Sequence, residues 1–431
     1  MGSCLPLRNG LRELNPQEIN FKEIYQQKSI CLAHSIHPYT AKMIPHISRY
    51  LIERYSKKGE LVLDPFCGSG TTLLEASLLK RRAVGIDLNP LASLISKVKT
   101  TPLNENELEL AINLLLTQLK GHGPKALVSF PNIDYWFCEK ARDELCRIRF
   151  CIDASKGEVS DDIHDFVLTT FSSIIRKSSY ADPRMAKTYR SKRVLAKVKN
   201  GWVSQPIQYF EEALKKNSDR IKATFKGTTN NHKVLTFSGD ARESSTILER
   251  NKVGDVDLII TSPPYINAQD YFRSYKLELW WLGLLTPEEV RVLKRKAIGS
   301  ENVSGFDSRN MPKSDCELLD SVIEEIWNKS NPMSKKKAYI IWKYFEAMKS
   351  VFETFHKALK TKGVFCLVTG NNTICEVQIP TCNVLTKIAN DCGFVTLENY
   401  HDEIKNRSLF PDRNHKGGII KEEWITVFRK R

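Results

Sequence analysis

Leu61-Val-Leu-Asp-Pro-Phe-Cys-Gly-Ser-Gly-Thr-Thr72 is the stretch whose reading decides the fold. Leu61–Leu63 reads as a buried strand, and the chain then meets an acid and a turn. Gly68 and Gly70 permit the tight turn and a close approach of backbone to a ligand, and Thr71 and Thr72 open a helix to about Lys80. Ala83-Val-Gly-Ile-Asp87 reads as a second strand ending in a carboxylate. Asn89-Pro90 then starts another helix, proline being tolerated in a first turn. A β-α-β unit of this kind predicts an open, mainly parallel α/β sheet, which places ligands at its strand ends.

The same residues suggest a ligand. A dinucleotide fingerprint would require a third glycine at position 73, where the chain has Leu73. Asp64 beside the loop would repel a pyrophosphate, but it would pair with the α-ammonium of a methionine moiety. Asp87 is placed to accept the hydrogens of both ribose hydroxyls, as acids do at that point in nucleotide-binding sheets. A third strand, Lys233–Asp240, brings Asp240 towards an adenine amine by the same geometry. S-adenosylmethionine is the expected cofactor, with Phe66, Gly68, Gly70 and Thr71 in its cradle.

A second string, Thr261-Ser-Pro-Pro-Tyr265, follows the apolar run Val256–Ile260. Methylating an exocyclic amine is hard because its lone pair is delocalised into the ring. Ser262 offers a hydroxyl acceptor for one N–H and Pro263 a carbonyl for the other, while Pro263 and Pro264 hold that carbonyl rigidly. Tyr265 offers a flat face on which an extruded base can stack.

Between the two strings the strand pattern disappears. Helical periodicities at 107–119, 140–151, 162–175 and 205–225 predict a helical insertion over 101–232. The catalytic domain is then 20–100 together with 233–431. Within the insertion, residues 176–199 hold nine Lys/Arg against one acid, Asp182. A polar stretch from 286 to 337 reads as loops and short helices over the site, followed by strands at 363–369, 395–400 and 424–428.

With 431 residues and 41% apolar content, the chain can bury a sizeable core. Its net charge of +15 suits a polyanion binder. The eleven cysteines are scattered singly, with no Cys-x-x-Cys pair, so reduced core cysteines are expected and no metal. The N-terminus lacks a basic segment followed by an apolar one, and no run approaches a spanning helix, so a cytoplasmic protein without membrane contact is expected.

Ile36-His-Pro-Tyr-Thr-Ala-Lys42, Asp64–Thr72, Gly85-Ile-Asp-Leu-Asn-Pro90 and Thr261–Tyr265 together resemble the bacterial amino-methylating DNA modification methyltransferases. The resemblance implies a Rossmann-like sheet and transfer from S-adenosylmethionine to cytosine N4 or adenine N6. It puts Tyr39 and Lys42 over the methionine end of the cofactor. Within that family Ser before Pro-Pro-Tyr leans towards cytosine N4. It also implies double-stranded DNA as substrate and pairing with a restriction endonuclease; a monomer is expected. The chain departs from the family's layouts in having no long target-recognition domain after the last strand. That task is expected of the basic insertion, with 286–337 assisting. The rival readings are adenine N6, a tRNA guanine methyltransferase and a silent nucleic-acid binder.

Overall fold

A computed structural model of the chain describes residues 17–19, 21, 32–40, 42–121, 123–227, 233–266, 270–331, 333–403 and 422–431. Cys4, Cys31, Ala41 and most of the expected segment before Leu32 lie outside the described residues.

Every strand anticipated from an apolar run forms. In chain order the strands are β1 (Gln17–Glu18), β2 (Leu61–Asp64), β3 (Arg82–Asp87), β4 (Val234–Ser238) and β5 (Val256–Thr261). They continue with β6 (Leu359–Thr369), β7 (Asn372–Ile374), β8 (Val377–Ile379), β9 (Phe394–Glu403) and β10 (Glu422–Lys430). Eight of them make one sheet in the order β1-β9-β10-β6-β5-β2-β3-β4. The pairs β2·β3, β3·β4, β2·β5 and β5·β6 are parallel, and β10 runs antiparallel between β6 and β9. This is the Rossmann-like sheet expected, with an antiparallel strand inserted near one edge.

Alternation fixes which face each residue covers. Val62, Leu258 and Ile260 pack with Ile47 and Leu51 on one face, whereas Leu63 and Ile259 meet Phe352 and Phe365 on the other. Because both faces are covered, these strands read as unbroken apolar runs. From β2 the chain proceeds outward through β3 and β4, then returns to start β5 on the other side of β2. The strand order therefore reverses between β2 and β5. That reversal is where such sheets hold ligands, and the two decisive strings are the turns leaving these two strands.

Residues 105–225 hold a set of helices and, among the described residues, no ladder strand. Their apolar faces do not form a separate core. Phe166 and Phe171 of the helix Asp161–Ser178 pack in one cluster with Leu91 and Ile95 of the sheet-flanking helix Pro90–Thr100 and with Trp281.

Two features differ from the sequence reading. The helix Ser334–Ala358 starts at Ser334, inside the stretch 286–337 that read as loops and short helices. Lys335–Lys337 suggested a loop, but buried Ala338, Ile341 and Tyr344 continue the core-facing stripe behind them. The hairpin β7–β8 was not expected. Its two turn residues, Cys375 and Glu376, have φ of 53° and 65°, the left-handed pair of a tight hairpin, without the Gly or Asn that normally signals it.

Gly85 on β3 shows how closely the first turn is fitted. A Cβ there would lie 2.4 Å from Leu73 Cδ1 and 2.9 Å from Cys67 Sγ. Gly85→Ala is expected to lower stability by about 1–3 kcal/mol through overpacking, measurable by chemical denaturation.

Candidate active site

The turn after β2 is anchored at each step. Cys67 N donates to Ile86 O at 3.0 Å, tying the turn back to β3. Gly68 and Gly70 adopt φ of 49° and 73°, in the left-handed region that favours glycine. Gly68 N donates to Asp87 Oδ2 at 2.9 Å, and Asn89 N donates to Asp87 Oδ1 at 2.9 Å. Asp87 thus fixes both the turn and the start of the next helix, and its carboxylate remains on the wall of the cleft.

That cleft lies over the reversal point and encloses about 1260 Å³, counting its open mouth. It brings together Phe66, Gly68, Asp87 and Asp240 from the nucleoside side with Ser262 and Pro264 from the second string. The two turns, far apart in the chain, are also bonded to each other. Thr261 Oγ1 donates to Asp64 Oδ1 at 2.8 Å, and the same oxygen accepts from Phe66 N at 3.1 Å.

Several expected ligands stand elsewhere. Asp64 is buried, bonded to Thr261, Thr72 and Phe66, and absent from the cleft wall. Burial pushes its carboxyl up to about 6, against the downward pull of those bonds. Its visible task is to join the two turns, whereas the sequence reading had it meeting an ammonium. Lys42 is also off the wall: its ammonium donates to His34 O at 3.0 Å and His37 O at 2.9 Å. Desolvation brings Lys42 down to about 8. Gly70 and Thr71 sit behind the turn, where a Cβ on Gly70 would strike Ser96 at 2.8 Å. Pro263 is buried, and Asp240 shares its carboxylate with Arg242, at 2.9 Å from Nε and 2.5 Å from Nη2.

Tyr265 is half-buried, hydrogen-bonded to Ser262, and off the cleft wall. The aromatic wall is built instead from Tyr39 and Tyr271, with Tyr275 behind them. Tyr39 stacks on Tyr275 at 4.7 Å and 7°, and on Tyr271 at 6.3 Å and 15°. Thr40 N donates to Tyr275 Oη at 2.6 Å, which holds the His-Pro-Tyr-Thr segment against this stack. The sequence reading missed Tyr271 and Tyr275. Their i, i+4 spacing just beyond Tyr265 was a usable signal, since such a pair shares one helical face.

The basic run is partly inward-facing. Arg176 donates to Met185 O and Ala186 O at 2.9 and 3.1 Å and pairs with buried Glu278 at 3.6 Å. Arg184 and Arg193 pair with Asp182, whose carboxyl is held well below the usual range by these arginines and Ser191, in spite of desolvation. Arg190 lies between the rings of Tyr135 and Tyr180, 4.5 and 4.8 Å from their centres. Lys192, Lys197 and Lys199 are exposed with no ion-pair partner among the described residues, and Lys187 lines the cleft. About half of the run is therefore engaged in contacts within the fold.

The described cysteines are free thiols, and no described helix is long and apolar enough to cross a membrane.

Residues 8–97 match a family model described as DNA methylase, of the N6/N4 type. The chain is 26% identical over 422 residues to Type II methyltransferase M.MvaI of Kocuria varians, covering 92% of this chain and 89% of that protein. Type II methyltransferase M.BsoBI of Geobacillus stearothermophilus is 24% identical over 425 residues, covering 88% and 82%. A shorter likeness, 34% over 76 residues, reaches the tRNA (guanine(10)-N2)-dimethyltransferase of Methanocaldococcus jannaschii, covering 17% of this chain and 21% of that protein. The family match and the relatives aligned along most of their length support an amino-methyltransferase of the restriction-modification type, for which S-adenosylmethionine is the cofactor.

Proposed function

We propose that the chain methylates N4 of a cytosine within a short duplex DNA sequence, and so protects cytoplasmic host DNA from a companion restriction endonuclease. The observation that carries this reading is the shared cleft. Ser262 and Pro264 line the same space as Phe66, Gly68 and Asp87.

The residues present fit S-adenosylmethionine. Among the described residues each carboxylate oxygen of Asp87 receives one backbone N–H bond, leaving lone pairs for ribose hydroxyls. Asp240 would reach the adenine amine, and Tyr39 and Phe66 would cover the ring and the methionine end. When bound, the cofactor supplies an electrophilic methyl on a sulfonium sulfur.

The chain's own work is to present the nucleophile. Ser262 Oγ, on the cleft wall, accepts one amine hydrogen, and the carbonyl of Pro263, whose ring is buried behind that wall, is assigned the other, which localises the nitrogen lone pair. The Ser262–Tyr265 hydrogen bond fixes the hydroxyl, and Tyr271 offers a flat face beside it. Acceptors placed before the reaction need no reorganisation during it. A duplex hides the amine, so the base must leave the stack, at a cost of a few kcal/mol.

Labelled cofactor incubated with plasmid DNA and with tRNA tests the reading, followed by mass spectrometry of the nucleosides. N4-methylcytosine is expected. N6-methyladenine would replace the base assignment, and transfer to tRNA alone would overturn the proposal.

A pH dependence follows from Asp87. Burial pushes its carboxyl up to about 6, against the pull of the Asn89 and Gly68 amides. The ionised form accepts hydroxyl hydrogens at full strength, and protonation removes that form below the pKa. Cofactor affinity should therefore fall as pH drops through about 6. Titration calorimetry with Asp87→Asn should show that limb flattened, which separates Asp87 from Asp64 titrating in the same range.

A further inference from the structure

Eight charged side chains line the cleft, and pairing them off leaves an uneven remainder. Asp240 is neutralised by Arg242, Asp270 by Lys294, and Glu301 by Lys337 at 3.2 Å. On the acidic side Asp87 is left, with no ion-pair partner among the described residues. On the basic side Lys187, Arg273 and Lys296 are left, exposed and without an ion-pair partner among the described residues.

These three cations come from separate parts of the chain. Lys187 belongs to the helical insertion, Arg273 follows the Ser-Pro-Pro-Tyr string, and Lys296 ends the helix Pro287–Lys296. Each is exposed while lining the cleft, so all three stand at its mouth. Nothing in the packing requires three unneutralised cations to converge there, and holding like charges together is unfavourable without an anion.

We infer that Lys187, Arg273 and Lys296 form a clamp for the phosphates flanking the extruded nucleotide. The inference rests on the DNA methylation reading. A nucleotide rotated out of the duplex brings its own phosphates to the mouth of the pocket that receives its base. Lysine and arginine at that place displace condensed counterions and fix the register of the backbone without reading sequence. The clamp draws on the insertion and on two segments that follow the second string, so it forms only where those elements meet around the base.

The experiment compares wild type with Lys187→Ala, Arg273→Ala, Lys296→Ala and the triple variant. The readouts are KM for a duplex substrate, the salt dependence of DNA binding, and the cofactor Kd. The triple variant is expected to raise KM for DNA about tenfold or more at moderate salt. The slope of log K against log salt should become shallower by about one for each cation removed, while cofactor Kd stays put. Lys187→Arg and Lys296→Arg should restore the slope, which a merely structural role would not produce. Lys187→Ala alone, at an exposed position, still reads the slope if the triple variant does not fold. Unchanged KM and slope in a variant that still methylates DNA would overturn the clamp and leave the methylation reading intact. Weakened cofactor binding in place of weakened DNA binding would overturn it too, assigning the cations to the cofactor carboxylate. A wild type that methylates no DNA would remove the underlying reading and the clamp with it.

Discussion

Ser262→Ala is expected to lose methyl transfer by roughly 10²–10³-fold while binding cofactor as tightly as wild type. The hydroxyl is one of two acceptors assigned to the amine, and its loss leaves only the Pro263 carbonyl. The carbonyl alone holds one N–H and leaves the lone pair delocalised. The drop should fall on the chemical step, so single-turnover rates must show it at saturating DNA and cofactor. Tyr265→Phe is the companion variant: it removes the partner of the Ser262 hydroxyl but keeps the ring. It should lose less than Ser262→Ala. If Ser262→Ala weakened cofactor binding as much as turnover, the division between the two turns would be wrong.

Asp87→Ala should act the other way, lowering cofactor affinity by roughly 10–100-fold. The carboxylate accepts from Gly68 N and Asn89 N and offers its remaining lone pairs to the cleft. Its removal costs the ligand contacts and also releases two amides that shape the turn, each worth about 1–3 kcal/mol if left unpaired. Turnover at saturating cofactor should recover most of its wild-type value. Equilibrium titration with a cofactor analogue checks the first part, and kcat against cofactor concentration checks the second. Loss of kcat with unchanged affinity would reverse the roles given to Asp87 and Ser262.

How much of this could be read from residues alone depended on distance along the chain. The strands β2, β3 and β5 and the turns after them were legible because each is a local statement: an apolar run, a polar residue (Asp64, Asp87 or Ser262), then glycine or proline. Their meeting was legible too, because parallel connections leave few ways to order the strands. The direction of Asp64 was not. Its position beside the loop is local, but Thr261, which claims its carboxylate, lies on another strand. The stack of Tyr39 on Tyr275 was hidden for the same reason. The charge run at 176–199 misled in part, since composition does not distinguish an arginine facing solvent from one such as Arg176 that holds carbonyls inside. The β7–β8 hairpin left no signal, because Cys375 and Glu376 are not residues that ordinarily take left-handed backbone.

The common core of the insertion and the sheet limits how this enzyme could be re-engineered. Leu91 and Ile95 share one cluster with Phe166 and Phe171, and they lie on the helix whose Ser96 hydroxyl donates to Gly68 O in the turn after β2. Exchanging the segment 105–225 for a counterpart from a relative would break that cluster and expose the scaffold of the active centre to water. New sequence preferences would have to be sought by changing solvent-facing side chains one at a time, because the segment cannot be swapped as a cassette.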